Sequence, residues 1–345
     1  MAGVFTISLD FELHWGVFDK KDRDARKHCY QNTLKLVPRL LNLFSQYDVH
    51  VTWATVGSLF AANRKEWEQL KPAIEPSYVN EIYSPYKWVA NHGLEDTYAW
   101  AHFAPEEVKM ILQYPGQELG THTFSHYYCV EPQHTDGAFR ADLQAAKEAA
   151  RKFNAKMNSL VFPRNQFNKE YLRICFEEGI EVVRSNPNNW FWTPVANDGN
   201  SLIRKVFRTG DGYIKMGNRT SYPLHSIIVN NNEPIQLPAS RLLRSWSPSY
   251  SITNKLRLRR LINEMQDAAR HKECYHLWWH PENFGDHPEE NMADLLIILE
   301  AYALCKKKYG MQSWNMGEYA HRLRGTTTTI QDPTVELLNT NRFTL

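Results

Sequence analysis

The 345-residue chain has few cysteines, and their spacing indicates no covalent or metal staple. The five cysteines are odd in number, lie far apart and include no CxxC pair. Neither a disulfide framework nor a cysteine-ligated zinc site is therefore predicted, and a reducing compartment is expected. The cysteines are Cys29, Cys129, Cys175, Cys274 and Cys305.

An excess of charge of one sign is also missing. Lys and Arg together number 40 and Asp and Glu number 38, which gives a formal net charge of +2. This balance creates no general attraction to nucleic acid or to an anionic membrane. We therefore expect no nucleic-acid partner.

Long hydrophobic runs are absent, since no apolar segment approaches the roughly 20 residues that a membrane-spanning helix needs. The N-terminal residues, MAGVFTISLDFELHWG, have no cationic start, and two acids interrupt their apolar run, unlike a secretory signal. Unless a leader has been removed, we expect a cytoplasmic protein, peripheral at most to the inner face of the membrane. A glycine-rich phosphate loop of the usual form is missing too, which argues against a phosphatase-like barrel.

What the sequence does contain fits a globular protein with a substantial core. Hydrophobic residues make up 43% of the chain, and its length allows one large α/β barrel or two smaller domains. Aromatic residues reach 13% and include eleven tryptophans. Such a surplus can fill a core or line a sugar-binding cleft, and composition does not separate the two.

Seven short apolar runs alternate with helical patterns, which predicts a parallel sheet or barrel. Gly179 and Gly310 follow two of the helices and are expected to cap them. The strand candidates are VFTISLDF, VTWATVGSLF, QELGTHTF, SLVFPRN, IEVVRSN, PIQLPAS and CYHLWWH. The helix candidates are residues 24–47, DLQAAKEAARKFN, KEYLRICFEEG, NKLRLRRLINEMQDAARH and NMADLLIILEAYALCKKKYG.

We predict one barrel domain over residues 1–325, followed by a C-terminal tail over 326–345. Two irregular stretches, residues 61–115 and 194–233, interrupt the alternation of strands and helices. Long insertions of this kind either form the functional rim of a barrel or are tolerated surface loops. We favour the rim.

The first strand runs into SLDFELHWG, which places acids and an imidazole at every second position. Because alternate side chains of a strand share a face, Asp10, Glu12 and His14 are predicted to point the same way. The same alternation is typical of a strand with one solvated face. The remaining motifs must therefore decide between a solvated face and a site.

Two histidines follow another predicted strand, in GTHTFSHYY. The spacing of His122 and His126 puts two imidazoles on one face of a helical turn, where they could chelate one divalent ion. An isolated pair at this spacing is often incidental. Its position directly after a strand strengthens the metal interpretation, because a parallel barrel carries its active site at the carboxyl ends of its strands.

Two further strand ends carry chemistry. Arg164, in LVFPRNQ, is either a surface guanidinium or a group that orients a carboxylate and depresses its pKa. His280, in HLWWHPENFG, is either a core histidine or an acid at the barrel mouth. Together, two acids, two histidines, an arginine and a further histidine on four strand ends indicate a metallohydrolase.

These motifs also resemble a known family, the NodB-like polysaccharide deacetylases of carbohydrate esterase family four. The resemblance is to a cytosolic-looking branch that reads DFE, HTFSH, FPRNQ and WWHPxNFG in this order, and it runs from about residue 4 to residue 318. It also includes TWATVG and the late SWNM. It implies a distorted (β/α) barrel of about seven parallel strands, one divalent metal ion, and hydrolysis of an N-acetyl or O-acetyl group on a carbohydrate.

One departure from the family pattern affects the roles of the two acids. The usual pattern has two adjacent aspartates, the first a base and the second a metal ligand, whereas here Phe11 separates the acids. By position Asp10 matches the base and Glu12 the metal ligand, with the reverse assignment open. His14 is expected to support a ligand or the structure.

The resemblance also assigns the other residues. His122 and His126 would complete the metal site with Glu12, and Arg164 would keep Asp10 ionised, although its motif is shorter than the family's usual one. His280 would protonate the leaving amine. Of the neighbouring Trp278 and Trp279, we expect one in the core and one near the cleft.

Zinc is the expected metal, but two imidazoles and one carboxylate also suit Co²⁺, Ni²⁺ or Mn²⁺. The expected substrate is an N-acetylated sugar, a nucleotide sugar, a lipid-linked sugar or another precursor of a surface polysaccharide. Two alternatives stay open: an amidohydrolase acting on a small non-sugar amide such as a cyclic imide or ureide, and an inactive glycan-binding barrel. The oligomeric state is not predicted.

Overall fold

The computed structural model describes residues 2–131, 133, 137–187, 189–192, 202–211 and 217–327. Within these residues the chain alternates strands and helices from its start, as the apolar runs predict. All seven predicted strands are present. The strands are β1 Val4–Phe11, β2 Val51–Thr55, β3 Gln117–Thr121, β4 Ser159–Val161, β5 Val182–Ser185, β6 Tyr222–Pro223, β7 Ile235–Pro238, β8 Arg241–Leu242, β9 Glu273–Trp279 and β10 Gln312–Ser313.

The strands form a parallel barrel, which confirms the predicted fold class. Neighbours pair in the order β9, β1, β2, β3, β4, β5, β7, and short β8 pairs with β9. The barrel closes at two consecutive residues. The Ala239 backbone N–H donates to the Ser185 carbonyl, and the Ser240 backbone N–H donates to the His276 carbonyl, both at 2.8 Å. Strands β7 and β8 therefore act as one bent seventh strand. Strand β6 is antiparallel and pairs with the start of β9.

Helices surround the barrel and include all five predicted ones. Both predicted cap glycines have a positive φ, 79° at Gly179 and 69° at Gly310, a backbone conformation that glycine adopts without a steric penalty. The helices are α1 Lys27–Tyr47, α2 Arg64–Leu70, α3 Pro85–His92, α4 Ala99–His102, α5 Pro105–Leu112, α6 Ala138–Arg151, α7 Lys169–Glu177, α8 Leu202–Gly210, α9 Ser251–His271, α10 Pro288–Tyr309 and α11 Met316–Thr327.

Apolar side chains fill the amino end of the barrel. Trp314, Met316 and Tyr319 pack with Val4 in a buried cluster, and the Tyr319 hydroxyl lies 2.7 Å from Thr6 Oγ1. With this end closed by α11 and the chain leading into it, the polar side chains of the strands collect at the carboxyl end.

The structure describes all of the first predicted irregular stretch and only part of the second. Residues 61–115 contain the short helices α2 to α5. Residues 194–201 and 212–216 of the second stretch, and residues 328–345 of the predicted tail, lie outside the described residues. Helix α11 continues to Thr327, two residues past the predicted end of the domain.

All five cysteines are buried and free. In the described part of the chain, no helix combines the length and apolar character needed to cross a membrane.

Candidate metal centre and active site

The first strand delivers both acids of DFE to the barrel mouth. Asp10 lies within β1 and pairs with Ala54 of β2, whereas Glu12 follows the last residue of the strand. Both side chains are buried, at 2% and 6% exposure. A pair of buried acids needs cationic partners, because an unpaired buried charge is costly.

His14 does not share their face, contrary to the sequence prediction. The strand ends at Phe11, and a 3₁₀ turn from Leu13 to Gly16 follows, with φ +47° at Leu13. His14 is instead fully buried, with its Nδ1 3.2 Å from the Tyr30 hydroxyl. Burial lowers its pKa to about 4, so the ring is neutral.

His122 and His126 converge on Glu12. The Nε2 atoms of both rings lie 3.2 Å from Glu12 Oε2. The predicted helical turn between them is absent, because residues 122–126 form no helix and Thr123 and His126 have φ values of +63° and +57°. A left-handed bend, rather than helical spacing, thus brings the two imidazoles together.

The three side chains fit a divalent cation. One ligand atom from each of Glu12, His122 and His126 can be chosen so that all lie within 4.8 Å of one another. His122 Nδ1 lies 2.8 Å from the Val161 carbonyl, which accepts its proton and leaves the Nε2 lone pair facing Glu12. Glu12 Oε2 is buried and has no hydrogen-bond partner, so it can act as a metal ligand.

The protonation states suit metal binding as well. Burial lowers the pKa of His126 to about 4, so its imidazole is neutral. Burial alone would raise the pKa of Glu12, but His280 opposes this effect, and that pKa lies well below its ordinary value. Neutral imidazoles and an ionised carboxylate are the forms that ligate metal.

Arg184, rather than Arg164, holds Asp10. The guanidinium of Arg184 donates through Nη1 to Asp10 Oδ1 at 2.6 Å and through Nη2 to Oδ2 at 2.7 Å. Both side chains are buried, and such a two-point pair is strong and directional. Burial would raise the pKa of Asp10, but Arg184 and His122 reverse this, and the pKa lies below its ordinary value.

Arg164 lies elsewhere, which corrects the role expected for it. It occupies the turn after β4 with φ +56°, donates to Asp19 Oδ2 at 2.5 Å and covers the Tyr128 ring at 3.7 Å. The Tyr128 ring in turn meets the His126 ring edge-on, with centroids 5.2 Å apart. Arg164 therefore supports the surroundings of His126 and does not contact Asp10.

The sequence around Arg184 contains a signal for its role. The run IEVVRSN reads as a buried strand, and an arginine inside such a strand requires a buried anionic partner. Which acid that is depends on the register across the barrel.

His280 completes the constellation from the end of β9. Its Nε2 lies 3.8 Å from Asp10 Oδ2 and 3.6 Å from Glu12 Oε1. Unlike the acids, its side chain is 29% exposed, so it borders solvent. Trp279 packs in the core against Phe284, while Trp278 lies beside His280 and the Arg184 guanidinium, as expected for one core and one cleft tryptophan.

Glu282 is a residue of the site that the sequence analysis missed. Its Oε1 accepts the backbone N–H groups of Glu12 at 2.9 Å and Leu13 at 2.5 Å. Burial and the neighbouring Glu12 raise the pKa of Glu282 to about 8, so the side chain is largely protonated at neutral pH. Glu282 thus holds the bend that presents Glu12 to the histidines.

A Glu282→Ala substitution should weaken zinc binding about 10- to 100-fold, since it unpairs two buried N–H groups and loosens Glu12. Glu282→Gln keeps an oxygen acceptor and the uncharged state, and should retain most of the affinity. Chelator competition measures both constants, with circular dichroism as a check on folding. Equal zinc affinity in the wild type and the alanine variant would contradict this role.

A cavity of about 480 Å³ lies between the loop after β1 and the insertion at 61–115, and none of the converging acids and histidines lines it. The loop after β1 contributes Phe18 and Asp19 to its lining, and the insertion at 61–115 contributes Trp88 and Asn91. Asp19 Oδ1 lies 3.3 Å from the hydroxyl of Tyr128, the ring that packs on His126. Part of the insertion therefore lies next to the active-site end of the barrel.

Comparison with known proteins gives a consistent picture of the family. The model of the polysaccharide deacetylase family matches residues 24–183. A search of curated proteins gives no significant match.

Solved structures share the barrel. A protein from Mycobacterium smegmatis described as a polysaccharide deacetylase aligns with a TM-score of 0.59 and 14% identity, covering 94% of this chain and 91% of that one. A second protein described as a polysaccharide deacetylase, from Pseudomonas aeruginosa PAO1, aligns with a TM-score of 0.54 and 9% identity, covering 93% of this chain and 90% of that one. Puue allantoinase has a TM-score of 0.53 and 10% identity over 94% and 90%. At these identities, the likeness concerns the fold.

The barrel is thus the fold of proteins described as polysaccharide deacetylases. The match of the polysaccharide deacetylase family model covers 160 of the 345 residues and confirms the resemblance that the motifs indicate. This match and the shared fold confirm the prediction of an enzyme that hydrolyses amide bonds of carbohydrates.

Proposed function

We propose that this protein is a metal-dependent deacetylase that removes an N-acetyl group from a carbohydrate precursor of a surface polysaccharide. The observation that carries the proposal is the convergence of Glu12, His122 and His126 beside the Asp10–Arg184 pair. A metal-ligand set and a paired carboxylate within one buried site are the components that amide hydrolysis needs.

Glu12, His122 and His126 would hold one divalent ion, and the donor set favours zinc while also suiting Co²⁺, Ni²⁺ or Mn²⁺. When bound, such an ion supplies Lewis acidity, which polarises a carbonyl and lowers the pKa of water from 15.7 towards about 7. The ligands come from the ends of β1 and β3, so the barrel itself fixes their separation.

Asp10 is the base in this proposal. Its carboxylate is ionised because Arg184 and His122 lower its pKa, and it can accept the proton of the attacking water. Arg184 holds both carboxylate oxygens, so it orients Asp10 without taking the proton itself.

His280 is the acid that protonates the departing amine. It lies close to both acids and is the site side chain most open to solvent, which places it where a substrate can reach it. An amine leaves poorly without a proton, whereas an activated phenolate leaves unaided.

His280→Ala should therefore reduce acetamide hydrolysis at least about 100-fold, with a much smaller loss on an activated aryl acetate. The comparison needs one variant and two substrates, with kcat/KM measured for each and metal content as the control. Equal losses on both substrates would show that His280 positions the substrate or supports the structure.

A carbohydrate substrate is supported by the match to the polysaccharide deacetylase family model. The cavity between the loop after β1 and the insertion also combines the aromatic rings of Phe18 and Trp88 with polar side chains. This combination suits a sugar ring, with an apolar face and polar edges. Acetate release from N-acetylated monosaccharides, nucleotide sugars and chitooligosaccharides, measured on zinc-loaded protein, tests the proposal. Turnover of a cyclic ureide but of no acetylated sugar would replace it with a small-amide hydrolase.

A further inference from the structure

A buried acid on α6 reaches the segment between the two histidines of the site. Asp142 is fully buried, and its Oδ1 accepts the backbone N–H of Phe124 at 2.6 Å. Its Oδ2 accepts the backbone N–H of Ser125 at 3.2 Å and also the Ser125 hydroxyl. Phe124 and Ser125 lie between His122 and His126 in the sequence. Asp142 therefore supplies the acceptors for the segment that connects the two imidazoles.

This segment cannot satisfy its own backbone N–H groups. Residues 122–126 form neither helix nor strand, and all five are buried, so water cannot replace a lost acceptor. The neighbouring carbonyls are bound as well, because those of Thr123 and Phe124 accept the backbone N–H groups of Gly57 at 2.8 Å and Ser58 at 3.0 Å. The left-handed bend is thus held between α6 and the turn after β2.

Asp142 is an unfavourable residue for the place that it occupies. It lies within α6, where aspartate is a poorer helix former than alanine, and burial of a carboxylate is costly. Burial raises the pKa of Asp142 to about 6, while the Ser125 hydroxyl and the Phe124 backbone N–H oppose this effect. The side chain is therefore mostly ionised at neutral pH, and both of its oxygens act as acceptors. A residue that breaks local rules in this way is typical of a functional site.

The two histidines depend on the bend to different degrees. His122 Nδ1 lies 2.8 Å from the Val161 carbonyl, which fixes its ring. His126 Nδ1 is buried and has no hydrogen-bond partner in the described part of the chain. A metal-ligating histidine is normally oriented by a hydrogen bond to its second nitrogen. The orientation of the His126 ring must therefore come from the backbone that carries it and from the Tyr128 ring beside it.

We propose that Asp142 is a positioning residue for the metal centre, which holds the bend in the conformation in which His126 reaches Glu12 together with His122. The inference rests on the proposed metal-dependent function. Zinc affinity, measured by chelator competition, tests it without an assay of activity. Asp142→Ala should weaken zinc binding about 10- to 100-fold, as expected when a metal ligand loses its support. Asp142→Asn has nearly the same size and keeps one acceptor oxygen, so its loss should be only about three- to tenfold.

Leu299→Ala is the control for a general loss of stability. Leu299 is fully buried on α10 and contributes no group to the site, so its truncation should lower the melting temperature and leave zinc affinity unchanged. Co²⁺ gives a second measurement, because its visible absorption depends on the geometry of its ligands. At saturating Co²⁺, the spectrum of Asp142→Ala should differ from that of the wild type, whereas the spectrum of Leu299→Ala should not.

Equal zinc affinity in the wild type and in Asp142→Ala overturns the proposal, as does an equal loss of affinity in Leu299→Ala. If Asp142→Ala does not fold, Asp142→Asn decides the question, and wild-type affinity in that variant then overturns the proposal. A wild type that binds no zinc overturns the metal centre and this inference with it. A wild type that binds zinc but releases no acetate from acetylated sugars overturns only the proposed deacetylation.

Discussion

His122→Ala combined with His126→Ala should lower the bound metal from about one divalent ion per chain to a background level, and deacetylation should fall with it. The two rings supply two of the three converging ligand atoms, and Glu12 alone offers one carboxylate. Removing two of three ligands leaves no chelate, so affinity should fall by several orders of magnitude. Elemental analysis after dialysis measures the loss.

The matched control is His28→Ala with His321→Ala, since both of these histidines are exposed and lie outside the site. This control should keep both metal and activity. Unchanged metal content in the His122/His126 variant would exclude the site as drawn.

Asp10→Asn should reduce turnover at least about 100-fold and leave the metal in place, as expected for the loss of a general base. The Arg184 pair holds the carboxylate in its ionised form, because a lowered pKa favours the anion at every pH above it. The ratio of wild-type to variant activity should therefore stay constant through the neutral pH range. Steady-state kinetics from pH 6 to 9 on metal-saturated protein provide the measurement.

Glu12→Gln is the companion variant and should weaken metal binding instead. If Asp10→Asn empties the site while Glu12→Gln stays loaded, the roles of the two acids are exchanged. Since Asp10→Asn also leaves Arg184 without its anion, and breaking a buried pair costs about 3–5 kcal/mol, thermal unfolding must accompany the assay. An activity loss that follows only the unfolded fraction would argue against a role as base.

The sequence by itself determined the order and type of the main elements. The seven apolar runs, with helical patterns between them, form the seven strands of one barrel. Gly179 and Gly310 end two helices and themselves have a positive φ. These features are local: an apolar run, a helical period and a residue without Cβ act on the backbone within a few residues. For the same reason, the site candidates could be located at the carboxyl ends of strands.

Tertiary structure decided which side chains meet. Arg164 follows β4 and Arg184 lies within the neighbouring strand β5, yet only Arg184 contacts Asp10. A strand pattern gives the face of each residue but not the register across a closed barrel. Two consecutive left-handed residues, Arg164 and Asn165, redirect the turn after β4.

The same distinction explains the residues missed near Glu12. The bend at Leu13 turns His14 away from the acids, and Glu282, 270 residues from Glu12 in sequence, holds that bend. Neither the bend nor the role of Glu282 can be deduced from the spacing of residues 8–16. The backbone N–H groups of the bend donate to Glu282, which follows a different strand, β9. Sequence thus specified the elements and the chemical groups, whereas long-range packing selected the partners that orient them.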